Sequence, residues 1–132
     1  MKYLLDTHIL IWCLFDSSKL SVRVKDVLFD PTHTIYVSSV AFWEISIKFN
    51  TGKIGLGKYY PNDLPAICQE MGFDLIDLRG KETASFYQLK AEHHRDPFDR
   101  ILIWQAIENG YTLISDDDSV KKYISEGLKV IW

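Results

Sequence analysis

The chain has 132 residues, 47% hydrophobic and 25% charged, with only four prolines and seven glycines. That is length for one domain, residues 1–132, able to bury about 70% of its unfolded surface without disulfides or structural metal, and the composition excludes a disordered chain. A net charge of −3 argues against a sequence-independent nucleic-acid coat, which would be strongly basic, but leaves room for an enzyme that grips a few phosphates locally.

In chain order, Tyr3-Leu4-Leu5 is a short strand candidate heading an apolar stretch that runs to Phe15. Asp6 and His8 interrupt that stretch, and it is shorter than the roughly 20 residues a bilayer span requires. Neither a signal peptide nor a membrane span is expected, and the expected compartment is the cytoplasm. Lys19 to Leu28 reads as a helix. Thr34 to Val37 is a second strand, rich in β-branched and aromatic residues. Ser38 or Ser39 can cap a helix running to about Asn50, with Gly52 beyond its end. Pro61 to Glu70 is another helix, stopped by Gly72, followed by a strand at Phe73 to Ile76 and a helix from Lys81 to about His93. Pro97 to about Asn109 carries the fullest set of helix signals: Asp96 at the N-cap, Pro97 at N1, Asp99 at N3 and Gly110 as the stop. Thr112 to Ile114 is a strand, Asp117 to Ser125 a last helix, and Lys129 to Trp132 an edge strand. Cys13 and Cys68 stand alone in apolar stretches without zinc-ligand spacing, so both read as buried thiols.

The strands are apolar on both faces and alternate with helices, a βαβ pattern. It predicts an α/β fold, a three-layer α/β/α sandwich around a mostly parallel, roughly five-stranded sheet. In such sheets sites form at the carboxyl ends of the strands. Asp6 follows the first strand there. Glu44 lies in the first turns of the helix after the second, Asp96 and Asp99 in the first turn of the helix at Pro97, and Asp116, Asp117 and Asp118 just after the strand Thr112–Ile114. Four separated segments thus deliver carboxylates to one rim. Glu44 shares a helical stripe with Val40, Trp43 and Ile47, and Asp99 heads one with Leu102, Ile103 and Ala106; a carboxylate on an inward stripe is costly without a partner.

Like charges about 4 Å apart repel by on the order of 4 kcal/mol at an effective dielectric of 20, so such a cluster needs a counter-charge. All-oxygen ligands point to Mg²⁺ or Mn²⁺, one or two ions, which would activate water and neutralise charge on a phosphoryl group. Thr7, Ser39 and Ser115 could orient the acids, while Lys48, Arg95 and Arg100 could hold a nucleic-acid backbone. Each residue also has a structural alternative. Asp96 can be simply an N-cap, Asp99 a capping-box acid, Asp6 and Thr7 turn residues, and Ser39 a cap. Glu44 can pair with Lys48 one turn on, and the arginines can pair with the acids. His8 and His94 lie near the rim, without metal-ligand spacing and without an assigned catalytic role.

Four segments resemble the motifs of PIN-domain nucleases. They are Leu4-Leu5-Asp6-Thr7-His8; Ser38 to Lys48 with Gly52-Lys53-Ile54 after it; His94-Arg95-Asp96-Pro97-Phe98-Asp99-Arg100, similar to the third motif of a VapC-like subgroup; and Leu113-Ile114-Ser115-Asp116-Asp117. The resemblance spans the whole chain in order. It implies that Asp6, Glu44 and Asp99 are the core acids and that Asp117 is the fourth, with Asp116 as the alternative and Asp96 in reserve. It also implies a Mg²⁺- or Mn²⁺-dependent endoribonuclease acting on structured tRNA or rRNA, the toxin of a VapBC-type pair. A VapB-like antitoxin would inhibit it, and the chain would form a homodimer. A catalytically inactive PIN domain serving as a protein- or RNA-binding module is the alternative.

Two other α/β readings fit less well. A phosphatase of the haloacid-dehalogenase type needs a second Asp where His8 stands, and a receiver-like module needs a Lys where the late strand delivers Asp. Trp43 and Trp104 are expected in the core, and Trp12 with Tyr59-Tyr60 at a dimer or antitoxin contact.

Overall fold

The computed structural model describes residues 1–132. Five strands form one sheet: β1 (Lys2–Leu5), β2 (Thr34–Ser38), β3 (Asp74–Ile76), β4 (Thr112–Ile114) and β5 (Lys129–Ile131). Their spatial order is β3-β2-β1-β4-β5, and every neighbouring pair is parallel. Tyr3 lies opposite Ile35 on one side and Thr112 on the other.

The helices are α1 (Thr7–Phe15), α2 (Val22–Phe29), α3 (Ser39–Asn50), α4 (Leu64–Glu70), α5 (Gly80–Ser85), α6 (Pro97–Asn109) and α7 (Asp118–Lys121). Side chains alternate across a strand, and here that alternation divides the core in two. Tyr3, Leu5, Val37 and Ile114 pack on one face with Ile9 and Leu10 of α1, Val24 of α2, Ile45 of α3 and Cys68 of α4. Leu4 and Leu113 pack on the other with Leu102, Ile103 and Ala106 of α6, Val120 of α7 and Tyr123. This is the three-layer α/β/α sandwich expected. Each such large apolar side chain taken out of water contributes on the order of 2 kcal/mol.

Helix α3 serves both layers. Val40 enters the second cluster while Ala41 and Ile45 enter the first, and the helix packs against both α1 and α6. Its contact face is therefore Val40, Ala41, Glu44 and Ile45, not the expected stripe through Trp43 and Ile47. Trp43 is 61% exposed, contrary to its assignment to the core, and leans edge-on against Phe98 with ring centroids 5.2 Å apart. Trp104 is buried as expected, its indole N–H donating to Ser85 Oγ.

Further elements depart from the sequence reading: the helix expected from Lys19 begins at Val22 after a 3₁₀ turn, and the one expected over Asp117 to Ser125 turns 3₁₀ at Lys122–Glu126. Thr7–Phe15 is a helix that the sequence reading did not assign, its structural alternative for Asp6 and Thr7 being a turn; its apolar residues lie nearly all round, so no 3.6-residue period marks it. The helix expected to reach His93 ends at Ser85 and gives way to a 3₁₀ turn at Phe86–Gln88. Beyond it, tertiary partners take over from helical bonding. Arg100 donates to the carbonyls of Leu89 and Ala91, and Glu126 accepts from the Ala91 amide.

Helix α6 spans Pro97–Asn109 as predicted. It ends on Gly110 at φ 68°, a left-handed position that costs glycine little. Cys68 is buried and Cys13 half-buried; both are free, and burial pushes their thiols up to about 11 and about 12. No helix is long and apolar enough to cross a membrane.

Candidate acidic site at the carboxyl rim of the sheet

A cleft of about 360 Å³ opens at the carboxyl ends of β1 and β4, lined by Asp6, Glu44, Asp96, Asp99 and the run Asp116-Asp117-Asp118, with His8, Trp12 and Lys48 at its margin. The structure thus brings together Asp6, Glu44, Asp99 and Asp117 from four segments far apart in sequence.

Asp6 leaves β1 and takes the N-cap position of α1 without using its side chain as a cap. Ser115 Oγ donates to Asp6 Oδ2 at 2.7 Å and accepts the Asp117 amide at 3.2 Å, so one hydroxyl ties the ends of β1 and β4 together. Ser115 is fully buried. Asp6 Oδ1 is buried with no partner at all. Burial first, and the charge of Glu44 in addition, push the Asp6 carboxyl above its ordinary range; the Ser115 bond and His8 pull the other way without prevailing.

Glu44 is 1% exposed. Its Oε2 is paired with Lys48 Nζ one turn along α3, while Oε1 is buried without a partner. The local alternative for Lys48 is therefore realised. Partial burial opposes the Lys48 charge, but Glu44, Asp96 and Asp99 outweigh it and raise its pKa.

Asp99 sits in the first turn of α6 with its side chain 15% exposed, Oδ2 3.3 Å from His94 Nε2. Its carboxyl is pushed up to about 8, by burial above all and then by the charges of Asp6, Asp96, Glu44 and Asp117. Those four causes identify the cluster electrostatically. Asp96 acts as the N-cap of α6, accepting from the Phe98 and Asp99 amides at 2.9 and 3.3 Å. Asp117 caps α7 in the same manner through Ser119 and Val120, at 2.7 and 3.3 Å, so its second oxygen is the one available to a ligand. The side chain of Asp118 is almost wholly exposed.

Of the remaining residues singled out from sequence, Thr7 stays beside the acids and the others fall elsewhere. Ser39 Oγ accepts the Leu78 amide and so anchors the loop after β3, away from the acids. Arg100 is spent on Leu89, Ala91 and the Tyr123 hydroxyl, with its guanidinium over Phe86, because the irregular segment after Gln88 needs donors for its carbonyls. Arg95 lines a separate cleft with Glu92 and His94. Thr7 is buried beside Asp6 with its hydroxyl unpartnered. Sequence reasoning assigned no role to His94, which the fold places between Asp99 and Tyr123. Its position five residues before Asp99 in the His94–Arg100 segment was the only available signal.

The donor set suits a hard divalent cation. Two buried carboxylate oxygens lack partners, a third carboxyl is forced toward its neutral form, and every nearby acid is an oxygen ligand. No three acidic side chains converge closely enough to enclose an ion from three sides; Mg²⁺ asks for only one or two carboxylates plus water.

A family model described as PIN domain matches residues 3–124. The fold is similar to that of VapBC2 from Rickettsia felis, solved bound to a DNA fragment from their promoter, at TM-score 0.70 and 17% identity over 99% of this chain and 98% of that one. It is also similar to VapBC-1 from nontypeable Haemophilus influenzae, at 0.67 and 18% over 99% and 97%. A third likeness is to FitAcB from Neisseria gonorrhoeae, at 0.64 and 16% over 98% and 96%. Among proteins of curated function, none matches the sequence. With the family model covering residues 3–124 and an acidic cleft at the carboxyl rim of a parallel sheet, this chain belongs to the PIN-domain family.

Proposed function

We propose that this chain is a Mg²⁺- or Mn²⁺-dependent endoribonuclease, the VapC-like toxin of a toxin–antitoxin pair. The observation that carries the reading is the pair of buried, unpartnered carboxylate oxygens, Asp6 Oδ1 and Glu44 Oε1, in one cleft with Asp99 and Asp117. The likeness in fold to VapBC2, VapBC-1 and FitAcB supports the partner, a small VapB-like antitoxin, and with it the toxin role. A structured RNA as substrate, a homodimer and a cytoplasmic setting belong to the same proposal.

In this reading the ion would lie among Asp6, Glu44, Asp99 and Asp117, bound directly by one or two of these carboxylates and through water by the others, with Asp116 next to it. A bound divalent cation would supply a water of lowered pKa and neutralise charge building on the scissile phosphate. The protein's own part is positional. Ser115 fixes the rotamer of Asp6 and the start of the turn to Asp117. His94 orients Asp99 while itself held by Tyr123. Lys48 balances the charge of Glu44 at the edge of the cleft, where its ammonium would also lie near a phosphate held by the ion. Thr7 adds a hydroxyl beside Asp6.

The test is digestion of a small-RNA pool by the purified protein with Mg²⁺, with Mn²⁺ and with EDTA, beside Glu44→Gln. Discrete, metal-dependent cleavage absent from the variant supports the proposal. Metal-independent cleavage, or equal cleavage by the variant, overturns the site.

A further inference from the structure

Beside the acidic cleft lies a second groove, of about 520 Å³, lined by Thr7, His8, Lys19, Lys48 and Lys53 and, on its apolar side, by Trp12 and three isoleucines. No carboxylate lines it, although the chain as a whole carries a net charge of −3. The two clefts share His8, Trp12 and Lys48, so they adjoin, and the sign of the charge reverses across that shared lip. The lysines come from separate elements. Lys19 ends the 3₁₀ turn after α1, Lys48 is in the last turn of α3, and Lys53 follows α3 with its amide bonded to the Lys48 carbonyl. Lys19 Nζ lies 5.8 Å from the centre of the Trp12 ring and makes only a loose, exposed contact with Asp16 at 3.7 Å. Lys53 makes no ion pair.

A separate observation points to a ligand. Thr7, 2% exposed, lines this groove with a hydroxyl that has no hydrogen-bond partner, whereas nearly all buried polar atoms in folded proteins are paired. Cations beside an aromatic wall, leading away from a site for phosphodiester chemistry, fit one kind of occupant: a single nucleic-acid strand, with phosphates on the lysines and a base against the ring.

We propose that the RNA strand leaves the acidic cleft through this groove, its phosphodiesters held by Lys19 and Lys53 and one base lying against Trp12. The proposal rests on the reading that the chain acts on RNA, and names where that substrate runs. Lys48, paired with Glu44, stands on the lip that the two clefts share.

The experiment measures binding of the full chain to a fluorescein-labelled single-stranded RNA of about twelve nucleotides by anisotropy, in Ca²⁺, across a salt series, with a gel confirming that the RNA stays intact. The Lys19→Gln/Lys53→Gln double variant alters two exposed side chains and leaves the fold in place. It should bind roughly tenfold more weakly, and its log Kd against log salt should be shallower by about 1.4, since each phosphate contact on a single strand accounts for about 0.7. Trp12→Leu should weaken binding by roughly tenfold with the wild-type slope, because stacking releases no counterions; Trp12→Phe should restore most of the affinity.

Unchanged slope and affinity in the lysine variant overturn the proposal, as does wild-type protein with no affinity for RNA. Binding of polyglutamate through the same lysines, with RNA ignored, overturns it in favour of an acidic polypeptide. Cleavage is scored separately. A lysine variant that cleaves and binds as wild type removes the groove and leaves the nuclease reading standing, whereas wild type that binds through the lysines but cleaves nothing removes the nuclease reading and leaves the groove.

Discussion

Asp99 gives the most quantitative consequence of crowding carboxylates at one rim. In the unfolded chain its carboxyl titrates near 3.8; in the fold, burial and then four neighbouring acids push it up to about 8. Between those values the folded protein retains a proton that the unfolded chain has released, so raising the pH favours unfolding. One proton difference corresponds to about 1.4 kcal/mol per pH unit, so between about pH 5 and about pH 7 this group alone removes roughly 3 kcal/mol of stability. Asp99→Asn has no such proton to lose. In EDTA its stability should therefore fall less steeply over that interval, by roughly 3 kcal/mol in total, and it should be the more stable protein at neutral pH. Urea unfolding at a series of pH values reads this directly. Saturating Mn²⁺ should flatten the wild-type curve, because a bound cation favours the ionised carboxylate that burial disfavours. Parallel curves for wild type and variant in EDTA would refute the reasoning, since Asp99 would then titrate alike in both states.

Three further outcomes follow from the same geometry. Lys48→Gln strips a buried Glu44 of its counter-charge; with Lys48 about one third exposed, the metal-free protein should lose roughly 1–3 kcal/mol in urea melts, less than the full cost of breaking a buried pair, and Mn²⁺ should recover most of it. Glu82, 1% exposed, accepts from the Arg79 amide and guanidinium and from Asn109, so Glu82→Ala should cost about 2–4 kcal/mol in the same assay while cleavage per folded molecule is unchanged. Arg100→Ala should lower the melting temperature by removing the donors of the Leu89 and Ala91 carbonyls, at about 1–3 kcal/mol, without changing the salt dependence of RNA binding; a loss of slope would place Arg100 on the RNA after all.

What could be read in the sequence was set by rules of position. A parallel sheet sends every strand's carboxyl end to one edge, so Asp6 after β1 and Asp117 after β4 fall on the same rim, and capping chemistry placed Asp99 in the first turn of α6. The pairing of Glu44 with Lys48 was legible as one of two alternatives, because spacing of four residues allows it without requiring it. What stayed hidden depends on how helices rotate against each other. Trp43 and Ile47 share a stripe with Glu44 on a wheel, yet α3 turns its 40/41/44/45 face to both core layers and leaves those two in water. Arg100 sits in a basic, motif-like segment, but irregular backbone at Leu89–Ala91 claims its donors, and no local pattern foretells that. Lys19 and Lys53 are 34 positions apart; Lys19 drew no attention and Lys53 only as part of a motif segment, until the packing of α1 against α3 set them along one groove.

The acids at the carboxyl rim are proposed to hold a cation and cut RNA with it. That role is tested most directly by the rate of cleavage of one RNA at rising Mn²⁺ concentration, for wild type and Asp6→Asn side by side. The account predicts a saturating, metal-dependent rate for wild type and a loss of at least roughly a hundredfold for the variant, in line with removing a metal ligand, with the variant's circular dichroism and melting temperature equal to or above those of wild type. Equal rates for the two proteins, or a wild-type rate indifferent to Mn²⁺ and EDTA, would contradict it.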